Sequence, residues 1–70
     1  MMPLSMAKPG ETVTVGHVTG KDEVRQHLKE LGFVAGTEVT VISGLSGSLI
    51  VQVKDSRVAL DRSMANRIMF

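Results

Sequence analysis

Apolar and polar residues alternate with a strand-like period of two in several stretches of the chain and with a helical period in one. "TVTVGHV" (12–18) places Val13 and Val15 on one face and predicts a strand entered from the turn "KPGE", with Gly16 weakening or bulging it. "TGKDEVRQHLKELG" (19–32) then sets Val24, Leu28 and Leu31 at i, i+4 and i+7, with Arg25, Gln26, Lys29 and Glu30 on the other side. That spacing predicts an amphipathic helix. Asp22 and Glu23 near its start and Lys29 near its end suit the helix dipole, and Thr19 or Asp22 is the expected cap. Gly32 follows the last periodic residue, where a helix commonly ends in a left-handed residue, and Phe33 is placed to fold back on Leu28.

After a second tight turn, "VAG" (34–36), the period returns to two. "TEVTVIS" (37–43) puts Val39 and Val41 on one face, and "LIVQV" (49–53) does the same with Leu49, Val51 and Val53. The two strands are expected to form an antiparallel hairpin around the loop "GLSGS" (44–48). "KDS" (54–56) is the next turn, and "RVAL" (57–60) a strand with Val58 and Leu60 inward. Asp61 is a candidate N-cap for one helical turn, "RSMAN", with Asn66 as a left-handed exit before a last strand, "RIMF". About five short strands, one α-helix and a short C-terminal helical turn predict a mostly β fold, a small barrel, because closure removes exposed strand edges. No repeat or linker interrupts the chain, so residues 1–70 are read as one domain.

Composition narrows what such a barrel can do. A chain of 70 residues has a small core and little room for a deep catalytic cleft. Cysteine is absent, which removes disulfides, thiolate metal sites and cysteine nucleophiles together. The net charge is +1 with both signs interspersed, a weak footprint for nucleic acid, and two Phe without Trp or Tyr cannot build a base-stacking platform or a proline-peptide groove. No apolar run is long enough to span a membrane, and "MMPLSMAKPGE" lacks the pattern of a signal peptide, so a cytoplasmic protein is expected. Met1, Met2 and Met6 fall in a start expected to be mobile.

Candidate chemistry is sparse. Gly32 and Gly36 would suit a phosphate loop only between a strand and a following helix, where N–H groups point at the anion. Here the order is helix, glycines, strand, so carbonyls face that end. Ser46 in "GLSGS" joins two strands rather than a strand and a helix, unlike a nucleophile elbow. No catalytic residue and no cofactor are therefore expected. His17 and His27, with Glu23 one helical turn before His27, are the only candidates for Fe(II) or another divalent metal, and no second histidine follows at i+4.

"LKELGFVAGTEVTVIS" (28–43) followed by "RVALDRSMANRIMF" (57–70) resembles the FeoA family of bacterial ferrous iron transport. The resemblance rests on Leu28, Leu31, Gly32, Phe33, Gly36, Val39 and Val41, then on Ala59, Leu60, Ala65 and Ile68, and extends to the opening "LSMAKPGETVTV". It implies an SH3-like β-barrel and a small accessory protein acting beside a GTP-hydrolysing membrane permease of the FeoB type. The same barrel is implied as an appended domain in metal-dependent repressors of the diphtheria toxin repressor type.

The principal expectation is a non-enzymatic adaptor that meets the permease at the inner face of the membrane, with Leu45 at the hairpin tip and Arg25 and Lys29 on the helix as candidate contacts. The alternative is a transition-metal-binding regulatory module using His17, His27 or Glu23. Nucleic acid is not an expected partner, and weak self-association is compatible with so small a core.

Overall fold

The strand expected over residues 12–18 divides at Val15 and Gly16, and this division shapes the barrel. The computed structural model describes residues 1–45 and 47–70; Ser46 and the side chain of Leu45 lie outside the described residues. The elements in chain order are β1 (Thr12–Thr14), β2 (His17–Val18), α1 (Asp22–Glu30), β3 (Glu38–Leu45), β4 (Ser48–Val53), β5 (Ser56–Asp61), α2 (Arg62–Ala65) and β6 (Ile68–Met69), with a 3-10 turn at Leu4–Met6 before them. β1, β3, β4 and β5 form one sheet in that order, and β2 pairs with β6 in a second, all antiparallel. Val15 still bonds the β3 side, donating to Thr37 O at 2.9 Å, whereas Gly16 donates to Met69 O at 2.7 Å. One continuous segment thus serves both sheets, and among the described residues six strands appear where about five were expected.

Helix α1 ends as its sequence predicts. Gly32 has φ 105, Gly32 N–H donates to Lys29 O at 3.0 Å and Phe33 N–H to Leu28 O at 3.0 Å, the paired bonds of a Schellman motif. Phe33 and Leu28 are both buried, completing its apolar contact. The start of the helix differs from expectation: Lys21 is the cap residue and makes no side-chain cap bond. Asp22 instead pairs with Arg25 in the first turn, and Thr19 N–H is held by Arg67 O at the end of β2. Gly36, at φ 90, occupies the third position of the turn closed by Thr37 N–H to Val34 O, where a type II turn requires a positive φ.

β3 and β4 carry the alternation into the core: Val39, Val41, Leu49, Val51 and Val53 are all buried. Their pairing continues through Gly44 and Leu45 to the Leu45–Ser48 pair, so most of the expected "GLSGS" loop is strand, with a bulge between Val41 and Ser43 that leaves Ile42 exposed. Asp61 caps α2 as expected, accepting the Met64 N–H at 2.8 Å. Asn66 stays right-handed at φ −66, because its N–H bonds Arg62 O and the following Arg67 N–H bonds Met64 O.

The N-terminal segment, expected to be mobile, is tied into the second sheet. Met2 and Phe70 exchange backbone bonds at 2.8 Å each, Pro3 bridges Met69, and Leu4 is fully buried. Leu4 stands with Phe33, Leu28 and Ile68 among the largest fully buried side chains of a core that is otherwise rich in valine.

Candidate partner-binding surface

Helix α1 uses one stripe for packing and leaves the rest to solvent. Leu28 is buried and Val24 half-buried, while Asp22, Arg25, Gln26 and Lys29 line a shallow outward face. Arg25 is held by Asp22 one turn earlier, which orients its guanidinium along the helix. Lys29 stands near the C-terminal end, where helix carbonyls favour a cation. Among the described residues no carboxylate forms an ion pair with Lys29, so its charge is available to a partner.

A concave feature lies elsewhere, between the N-terminal segment, the β3–β4 hairpin and α2. This groove of about 350 Å³ is lined by Ser5, Ala7 and Pro9, by Gly44, Ser48 and Leu49, and by Arg62 and Ala65. Its floor is apolar, since Ala7, Leu49 and Ala65 are buried, and its rim carries two hydroxyls and one guanidinium. The Ser5 hydroxyl donates to Asn66 Oδ1, and Arg62 N–H donates to Gly47 O at 3.2 Å, so the three walls are cross-linked by hydrogen bonds. Asp61 sets the orientation of α2 beneath Arg62. Its carboxyl is held below the ordinary 3.8 by the Met64 N–H and then by the Ser63 hydroxyl. The sequence pattern does not disclose this groove, because the short 3-10 turn that walls it carries no period; the available signal is Leu4 and Ala7, apolar at i, i+3.

The metal candidates are placed on separate elements. His17 is exposed on β2 opposite Met69, whereas Glu23 and His27 are exposed on α1. Among the described residues no three His, Asp or Glu side chains converge as a metal site, so they offer no closed coordination sphere. The candidate contact Leu45 ends β3 at the hairpin, and its side chain lies outside the described residues.

Comparison with known proteins places this architecture. The FeoA domain family matches residues 2–70. The chain belongs to the FeoA family. It is 35% identical over 69 residues to a protein assigned as Fe(2+) transport protein A from Methanocaldococcus jannaschii, covering 99% of this chain and 84% of that one. It is also 35% identical to Stenotrophomonas maltophilia FeoA, solved with zinc and described as a prokaryotic SH3-domain protein, with a TM-score of 0.85 over 99% of this chain and 88% of that one. A manganese-dependent transcriptional repressor, 19% identical, matches in fold alone: TM-score 0.87 over 94% of this chain and 38% of the repressor. The SH3-like barrel expected from the resemblance is the fold of this FeoA chain, and ferrous iron transport is its family context. No helix among its described residues is long and apolar enough to cross a membrane.

Proposed function

We propose that this FeoA chain is a non-enzymatic accessory protein of ferrous iron uptake, cytoplasmic, that binds the cytosolic part of a FeoB-type GTPase permease and so works at the inner face of the membrane. The observation that carries the reading is the outward face of α1, on which Arg25 and Lys29 stand as exposed cations of a helix whose apolar stripe is already spent on the barrel. Iron in this reading is the cargo of the transporter and needs no resident site in the chain. Family membership supports the iron context.

The test is binding of the purified chain to the cytosolic GTPase region of a FeoB-type permease, followed by isothermal calorimetry. The double variant Arg25→Glu, Lys29→Glu is expected to weaken binding at least about tenfold, a loss of ~1.4 kcal/mol, with unchanged circular dichroism. Leu45→Asp extends the same measurement to the hairpin. Retained affinity in the double variant removes α1 from the interface, and no binding by the native chain removes the accessory role. Titration with Fe(II) separates this reading from a metal-responsive module, which demands saturable shifts of the His17 or His27 resonances.

A further inference from the structure

The four-stranded sheet ends at β5, and among the described residues no strand pairs with its far side. Which backbone groups face that open side follows from the hairpin. Only Lys54 and Asp55 separate β4 from β5, so Val53 and Ser56 form a hydrogen-bonded pair, and such pairs recur at every second residue: Val51 with Val58 and Leu49 with Leu60. The Arg62 N–H bond to Gly47 O continues the same parity past the end of the strand. The N–H and C=O groups of Ser56, Val58 and Leu60 therefore point into the sheet. Those of Arg57, Ala59 and Asp61 point out of it.

The side chains of these three residues are all exposed, and their order is cation, small apolar residue, anion. That order is self-complementary. We propose that the β5 edge is a homodimerisation site, at which a second copy of this chain adds antiparallel about a two-fold axis at Ala59. In this register Ala59 faces Ala59 of the second copy, and Arg57 faces Asp61 of the second copy, with the ion pair repeated by symmetry. Both positions are hydrogen-bonded pairs, matching the outward parity. Ala59 N–H donates to the opposing Ala59 carbonyl and Asp61 N–H to the opposing Arg57 carbonyl, while the Asp61 carbonyl serves the first turn of α2 as an N-cap carbonyl does.

Other antiparallel registers of the same parity fare worse. Centring the axis on Arg57 or on Asp61 sets like charges directly opposite, and moving it by one residue, to Val58 or Leu60, leaves a charge facing Ala59. The Asp61 carboxylate is suited to the role because both of its internal bonds, from Ser63 Oγ and Met64 N at 2.8 Å each, go to Oδ1. Oδ2 is left for the opposing guanidinium. On the inner face, half-buried Val58 comes beside Leu60 of the second copy, which adds apolar burial to the backbone bonds.

Analytical ultracentrifugation of the native chain from ~10 μM to ~1 mM, with amide hydrogen exchange at both ends of the range, tests the proposal. The expected result is a concentration-dependent dimer in which the Ala59 and Asp61 amides gain protection on dimerisation, while those of Val58 and Leu60 are protected throughout. Ala59→Pro removes the central outward N–H without removing a bond to β4, and a proline is tolerated at such an edge. Arg57→Glu, on the solvent face, sets two carboxylates opposite each other. Each is expected to raise the dissociation constant at least about tenfold; should Ala59→Pro fail to fold, Arg57→Glu alone decides. A chain that stays monomeric across the range overturns the proposal and leaves the edge to a strand of another protein. So does a dimer that both folded variants leave intact. Neither outcome bears on permease binding through α1.

Discussion

Lys54 holds a conformation that its side chain disfavours. At φ 54 it is, among the described residues, the non-glycine residue with a positive φ, in the two-residue connection between β4 and β5. Lys54→Gly relieves roughly 1–2 kcal/mol of steric cost and loses about 0.5–1 kcal/mol to the freer unfolded chain, so urea unfolding should show a net gain of about 0.5–1 kcal/mol. Lys54→Val, β-branched, should move the midpoint the other way. Asp61 gives a prediction in pH. Its carboxyl is lowered in the folded state by the bonds from Met64 N and Ser63 Oγ, so the unfolded chain binds its proton first as pH falls below the ordinary 3.8. The stability it supplies is full above that value and is lost as pH drops through the lowered one. Asp61→Ala should therefore unfold at lower temperature than the native chain at pH 7, and the gap should close at pH values below the folded titration. A gap independent of pH would mean that the charged cap contributes nothing. This cap was legible in the sequence because a short side chain bonding three residues ahead is a local event. The positive φ of Lys54 was not, because "KDS" marks a turn without saying which residue bears the strain.

Among the elements, α1 and its exit were the clearest reading. Val24, Leu28 and Leu31 predicted the stripe that packs on the core, with Leu28 buried and the other two half-buried, and Gly32 with Phe33 predicted the Schellman end, because each signal depends on neighbours within about one turn. Gly32→Ala tests whether that end is held by the backbone. An added Cβ would meet Val53 Cγ2 at 3.5 Å, an ordinary contact, so the penalty comes from φ 105 and not from crowding. The expected loss is about 1–2 kcal/mol in chemical denaturation, with Asn at the same position losing less. Equal losses for Ala and Asn would shift the explanation to packing. The strands were legible where alternation is complete, as in β4, and less so where a partner decides. β2 has two residues, and its existence depends on β6, some fifty positions away in the chain. No local pattern encodes such a pairing. The same limit hid the continuation of β3 through Gly44, a residue whose local preference is for a turn and whose strand conformation is imposed by Leu49 across the hairpin.

At the scale of the whole molecule, the two chain ends close the barrel together. Met2 and Phe70 exchange backbone bonds, Pro3 bridges Met69, and Leu4 enters a core that also contains Ile68 and Leu28. The candidate groove is a product of this closure, since Ser5, Ala7 and Pro9 form its wall only while Leu4 stays anchored beside them. Sequence patterning could not show this, because a three-residue turn with one leucine carries no period, and its burial depends on α1 and on the distant elements α2 and β6 at the other end of the chain. Leu4→Ala measures how much the closure contributes. Truncating a fully buried leucine removes about 2–5 kcal/mol when the site cannot collapse. For 70 residues, at roughly 0.05–0.15 kcal/mol each, the entire stability is only about 4–10 kcal/mol. The variant is therefore expected to lose roughly a fifth of its stability at the least and about half at mid-range, visible in urea unfolding as a large fall in midpoint. Amide exchange should quicken first at Met2, Gly16 and Phe70, the donors that join the N-terminal segment, β2 and β6. If instead the start of the chain were loose, Leu4→Ala would leave the midpoint unchanged and those amides would already exchange quickly in the native protein. That result would dissolve the groove as a site while leaving α1 as the surface on which the permease is expected to dock.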